Sequence, residues 1–190
     1  MGGLEFYQYE NELWCKHADG RNEVFDETKV ELVQLILGKI RNCYPEAYRA
    51  LEKFYISSSR NIRYFQFLMA KRFVRCNFAQ LDATSFDVEC VGSDVRFNFE
   101  RVVCPLRGEC QFEGVICNPK FDSSLSPAEL RVMELFYQGY SKEEISQKLF
   151  NSPETIKNHI KNAYQKLGVH EKAEFIRYAE KNGLFANAQE

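Results

Sequence analysis

The chain has 190 residues, of which 25 are basic and 27 acidic, giving a formal net charge of −2; 45% are hydrophobic and 27% charged. This balance excludes wholesale disorder and the fibrous classes, and whole-chain charge gives no argument for nucleic acid, so any basic surface has to be local. The longest apolar run, Leu32 to Ile40, is broken by Gln34, Gly38 and Lys39, and the opening MGGLEFYQYENE has neither the basic nor the apolar stretch of a signal peptide. The expectation is a cytoplasmic protein with no membrane partner.

The elements follow in chain order. LEFYQYENELWCK alternates weakly and reads as a strand pair. Asp26 to Lys39 is amphipathic, with Val30, Val33, Leu35, Ile36 and Leu37 apolar. Pro45 opens a second helix running through Phe54, and Ile62 to Phe73 forms a third, rich in aromatics. Phe86 to Cys90 and Val95 to Val103 alternate around Gly92-Ser93-Asp94 and predict a β-hairpin. Asn118-Pro119 and Asp122-Ser123-Ser124 read as a turn and linker, which divides the chain into residues 1–122 and 123–190.

Beyond that linker the helix signals are strong. Ser126-Pro127-Ala128-Glu129 and Ser141-Lys142-Glu143-Glu144 are capping boxes, and Ser152-Pro153-Glu154-Thr155 is a third serine-capped start. Gly139 and Gly168 end the first and third of these helices. Helices over about 142–149 and 153–167, joined by a tight turn at Phe150-Asn151, have helix-turn-helix spacing. A fourth helix covers roughly Glu171 to Lys181. The expected fold is mainly α: an α-helical N-terminal region with a small β-hairpin and a Cys-rich segment, then a four-helix domain.

On the third helix of that domain, Ile156, Ile160, Ala163 and Leu167 form the core stripe, which leaves Lys157, Asn158, Lys161 and Gln165 facing outward. Lysines and amides are what base edges and phosphates require, and the helix start near Ser152 and Thr155 suits a phosphate. Between Ser152 and Leu167 three lysines stand against one glutamate, whereas residues 123–190 are balanced overall. A merely solvated lysine face is the bland alternative; the three stacked helix starts favour DNA, because they position the face as well as charge it.

The run LSPAELRVMELFYQGYSKEEISQKLFNSPETIKNHIKNAYQKLGVHEKAEFI resembles the DNA-binding domain of the LuxR family of bacterial regulators, also called the GerE or NarL/FixJ type. The resemblance rests on Leu125, Glu129, Gly139, Glu144, Ile145, Leu149, Thr155, Ile156, Lys157, His159, Lys166, Leu167, Gly168 and Val169. Ser146, Ala128 and Lys172 depart from the residues common there. The resemblance implies a four-helix domain and a homodimer on double-stranded DNA with a dimer contact through the last helix; RNA polymerase is a further candidate partner. It places Lys157, Asn158 and Lys161 where bases are read and Thr155 and Lys166 where phosphates are held. His159 and Glu129 are expected to be structural, Glu129 in an ion pair. Phe175, Ile176 and Tyr178 span more than one side of the last helix, so Tyr178 and Leu184-Phe185 are expected near the surface, for a partner to cover.

Residues 1–122 resemble neither a phosphoacceptor receiver nor an acyl-homoserine-lactone binder, the latter because Trp14 is the single tryptophan. Five of the seven cysteines fall between residues 76 and 117. In CPLRGECQFEGVIC, Cys104, Cys110 and Cys117 supply three thiolates, and a closed tetrahedral zinc site needs a fourth. Cys76 precedes the hairpin, whereas Cys90 falls near its far tip, so Cys76 is the fourth candidate ahead of Cys90. An iron–sulfur cluster that senses oxidants is a second reading of the same four residues, and inert reduced thiols a third.

The expected function is a sequence-specific DNA-binding transcriptional regulator and not an enzyme; no P-loop, dinucleotide fingerprint or HExxH is present. Two alternatives stay open: a metal- or redox-sensing protein whose helix-turn-helix serves protein interaction, and a redox enzyme with an appended helix-turn-helix.

Overall fold

The computed structural model describes residues 2–78, 81, 85–91 and 94–185. The chain forms two compact units, Met1–Lys120 and Phe121–Glu190.

In the first unit, β1 (Leu4–Tyr9) and β2 (Glu12–His17) form a hairpin in which Phe6 pairs with Cys15 and Tyr7 with Trp14. The two turn residues, Glu10 and Asn11, have φ of 49° and 67°, which matches the turn to the right-handed twist of the strands. β3 (Asn22–Val24) adds to β2. Three helices follow: α1 (Val30–Cys43), α2 (Pro45–Phe54) and α3 (Ile62–Asn77). β4 (Val88–Val91) and β5 (Asp94–Phe97) form a second hairpin, and Leu4 pairs with Val88 to join the two. The result is one antiparallel sheet of order β3-β2-β1-β4-β5.

The core of this unit is aromatic. Phe73 lies within 6.4 Å, ring to ring, of Tyr44, Phe78, Phe97 and Phe99, and Phe6 lies 5.4 Å from Phe25. Leu32, Val33, Ile36, Leu37 and Ile40 form the buried stripe of α1.

Three expectations are corrected here. The N-terminal region is not α-helical with a small hairpin but a five-stranded sheet with three α-helices. Its outer strand β3 is three residues long, and the two hairpins meet across more than eighty residues of sequence, so neither feature leaves a local signal. The second strand of the 86–103 hairpin stops at Phe97, short of the expected Val103: one further backbone bond joins the Asn98 N–H to the Asp87 carbonyl, the Asn98 side-chain amide donates to the Phe86 carbonyl, and Phe99 stacks on Phe78. Helix α1 starts at Val30 and not at Asp26, whose carboxylate instead accepts from the N–H and hydroxyl of Thr28 in a local turn. The expected turn residues Gly92 and Ser93 lie outside the described residues.

The second unit contains α4 (Pro127–Tyr137), α5 (Lys142–Leu149), α6 (Pro153–Leu167) and α7 (Lys172–Asn182). Ser126 and Ser141 both complete reciprocal capping boxes, with Glu129 and Glu144, and Ser152 caps α6 through the N–H of Thr155. Gly168 ends α6 at φ 67°, a conformation that costs a glycine nothing. Val132, Met133, Phe136, Ile145, Ile156, Ile160, Ala163, Leu167 and Phe175 close the core.

The last described residues depart from expectation. Phe185 is buried, 5.5 Å from Tyr137 and 6.3 Å from Phe175, and Leu184 and Tyr178 are partly buried against the same core. Tyr178 also meets the ring of Phe121 at 6.3 Å. Residues on either side of the four helices, Phe121 before them and Phe185 after them, supply the cover.

Candidate nucleic-acid interface

Helix α6 separates its two faces as the sequence requires. Ile156, Ile160, Ala163 and Leu167 are buried, while Lys157, Asn158, Lys161 and Gln165 are exposed. These four outward side chains share an open groove with Tyr164 and His170. The Lys157 ammonium stands 3.6 Å from Glu154, and both side chains are well exposed, so water screens the pair and little holds the lysine there. Lys157, Asn158 and Lys161 are thus brought together on one accessible helix face.

The turn ahead of α6 is fastened by contacts that pattern reading missed. Phe150 takes the left-handed conformation, φ 53°, at the end of α5, and its side chain projects almost wholly into solvent. The Ser146 hydroxyl donates to the Asn151 carbonyl at 2.6 Å, and the Asn151 N–H donates back to the Ser146 carbonyl at 3.1 Å. The serine that departs from the family pattern therefore ties the turn. Lys172, another departure, places its ammonium 4.4 Å over the Phe136 ring, where the π-face attracts it.

The phosphate candidates differ in their surroundings. Thr155 is half-buried, and its hydroxyl shares a 2.8 Å hydrogen bond with Ser152 at the start of α6. Lys166 has an internal partner: its ammonium donates at 2.6 Å to Glu129. Glu129 is a buried carboxylate that also accepts the Ser126 N–H at 2.8 Å. The Lys166 hydrogen bond, with help from Ser126, holds the Glu129 carboxyl down at about 2 despite its burial. The expected ion pair of Glu129 is therefore present, with Lys166 on its other side. His159 is half-buried.

In the first unit, Cys76, Cys104, Cys110 and Cys117 all line one cavity of about 460 Å³. Among the described residues, however, no three of their sulfurs lie within 4.8 Å of one another. Burial pushes the Cys76 thiol up, while Arg72 beside it pulls the other way. Cys90 is placed on β4, opposite Val95. Close ligand spacing occurs elsewhere: carboxylate oxygens of Glu5, Asp87 and Glu100 lie within 4.8 Å of one another. Asp87 Oδ2 there accepts the Phe6 N–H at 2.5 Å. A residue of β1, the residue just before β4 and one from the chain after β5 meet at this point, so no sequence spacing could have shown it.

No helix among the described residues is long and apolar enough to cross a membrane. No solved structure matches the chain. Residues 123–179 match the family described as bacterial regulatory proteins, luxR family. With its capped helices and its exposed lysine–asparagine face, the C-terminal unit carries a helix-turn-helix domain of the LuxR family.

Proposed function

We propose that the protein is a sequence-specific transcriptional regulator that reads DNA with α6. One observation carries the reading: Lys157, Asn158 and Lys161 are exposed together, opposite a fully buried stripe, on the second helix of a helix-turn-helix. A helix presented this way enters the major groove, where lysines reach guanine O6/N7 and an amide pairs with adenine. Thr155, at the helix start, is placed for a phosphate. Lys166 acts mainly inside the domain, since its charge already answers that of Glu129.

The reading includes a homodimer on DNA, because one short helix contacts few bases and two half-sites add their contacts. The last helix offers mostly polar exposed residues, such as Lys172, Arg177 and Glu180, for that contact. Assembly on the operator, with contact to RNA polymerase, fits such a surface better than a tight dimer in free solution. Residues 1–120 then serve as the input unit, and the protein acts in the cytoplasm and not as an enzyme.

The test is an operator selected from random DNA, followed by titration at fixed salt. Lys157→Ala and Asn158→Ala are each expected to weaken operator binding by about 1–3 kcal/mol and binding to random DNA far less. Equal losses on both DNAs would refute base reading by these residues. A complex that sediments with one chain per full operator would refute the dimer.

A further inference from the structure

The segment from Cys104 to Cys117 contains no helix or strand. Ile116 is its one fully buried residue. Ordering a chain segment costs conformational entropy at every residue, and a single buried isoleucine offsets only a small part of it. Something else has to fasten the loop.

Two internal features prepare it for a fastening point. Each interval between its cysteines contains a glycine in the left-handed region: Gly108 at φ 89° between Cys104 and Cys110, and Gly114 at φ 72° between Cys110 and Cys117. The chain therefore reverses twice and carries all three cysteines to the wall of the same cavity. Glu113 ties the two turns together, accepting the Gly108 N–H at 2.6 Å and lying 3.5 Å from Arg107.

The fourth cysteine is brought up from α3. Asn77, buried beside Cys76, donates its amide at 2.9 Å to the Ile116 carbonyl and accepts the Asn118 N–H at 2.8 Å. These two bonds flank Cys117 on either side. One side chain therefore holds the end of α3 against the loop with Cys76 and Cys117 next to the two ends of the clamp.

Charge points to what the cavity takes. Lys71, Arg72, Arg75 and Arg107 line it against one carboxylate, Glu113. Arg72 lies 5.2 Å and 5.7 Å from the ring centres of Phe54 and Phe112, and among the described residues no carboxylate forms an ion pair with it. Four neutral thiols leave this wall strongly positive. Four thiolates around a divalent ion carry a net charge of −2 and would bring it near balance.

We propose that Cys76, Cys104, Cys110 and Cys117 bind one zinc ion as a closed tetrathiolate site that fastens the 104–117 loop to the end of α3. Binding releases four protons, one from each S–H, and forms four Zn–S bonds. With Zn–S of about 2.3 Å the sulfurs close to ~3.8 Å from one another. Cys104 is exposed and the other three are half-buried, so none is locked in a packed core, and binding would have to turn their sulfurs inward from their present separation. Because the bound ion adds directly to folding free energy, it supplies the fastening that the loop's own burial lacks. The site is independent of the DNA reading, since it lies wholly within residues 1–120.

The test is elemental analysis and the visible spectrum of the full chain, purified without a metal-binding tag. One zinc per chain and a colourless protein are expected. Cys76→Ser and Cys110→Ser should lose the zinc, while Cys43→Ser and Cys90→Ser should keep it. If the ligand variants do not fold, cobalt replacement in the wild-type chain reads the same site. Strong tetrahedral thiolate absorption supports the proposal, and weak octahedral absorption overturns it. A metal-free wild type, an iron-containing coloured protein, or zinc lost from Cys90→Ser but kept in Cys76→Ser would also overturn it.

Discussion

The two units of this chain are specified in different ways. In the C-terminal unit three of the four helices start at a serine whose side chain caps the helix, and two of those caps are reciprocal boxes. In the N-terminal unit α1 and α2 have no side-chain cap, and only α3 has one, from Asn61. There the structure depends instead on rings from α3, from β5 and from residues just after each, Phe78 and Phe99, that meet around Phe73. One unit is written in short-range signals and the other in long-range packing, so each should fail under a different kind of substitution.

The largest expected effect follows from the packing. Phe73 is fully buried, and Phe73→Ala should destabilise the N-terminal unit by about 3–5 kcal/mol, through lost burial and the cavity left behind. Hydrogen exchange should show lost protection in α1, α3 and the sheet, with α4 to α7 unchanged. Equal loss in both units would break the contrast.

In the C-terminal unit, Lys166→Ala leaves the buried Glu129 carboxylate with only Ser126 as partner and should cost about 2 kcal/mol, less than a fully buried pair because the lysine end is part-exposed. The pH dependence has a definite sign. Glu129 titrates at about 2 in the folded state against an ordinary value of 4.5, so the pair stabilises the domain above pH ~4.5 and that contribution fades as pH falls toward ~2. The stability gap between wild type and Lys166→Ala, followed by thermal unfolding, should therefore be widest near neutrality and shrink in acid. A gap that is constant with pH would show that the ion pair is not its source.

Caps give the next step down. Ser141→Ala and Ser152→Ala should each cost about 1 kcal/mol in denaturant midpoints, with helix content retained at low denaturant. Gly168→Ala should cost a similar ~1 kcal/mol. A methyl group there meets no atom within 4 Å, so the whole penalty is the left-handed backbone.

The same contrast explains what the sequence could reveal. Ser126, Ser141, Ser152, Gly139 and Gly168 act on residues within a turn of themselves, so helices α4 to α6 and the outward face of α6 could be read residue by residue. The Glu129 ion pair could be anticipated from a motif, but its partner Lys166, thirty-seven positions away, could not. The first hairpin carried a weak alternation that its register bears out. The joining of that hairpin to β4 rests on one pairing, Leu4 with Val88, and a sheet assembled in this way leaves no periodicity in the chain. Asn77 was likewise invisible, because a single asparagine late in a helix carries no pattern, and its role depends on a loop some forty residues away.

Phe150 shows where this domain has room to be improved. It is a bulky residue at φ 53° with 96% of its surface in solvent, so it adds nothing to the core while its backbone carries a penalty that glycine avoids. Phe150→Gly should therefore raise the stability of the C-terminal unit by about 0.5–1 kcal/mol, or a few degrees in melting temperature. It should also make the purified protein less prone to self-association, since one large exposed aromatic is gone. For anyone engineering a sturdier version of this domain, the turn of the helix-turn-helix is the place to begin, because neither the packed stripe of α6 nor its base-facing side chains need to change.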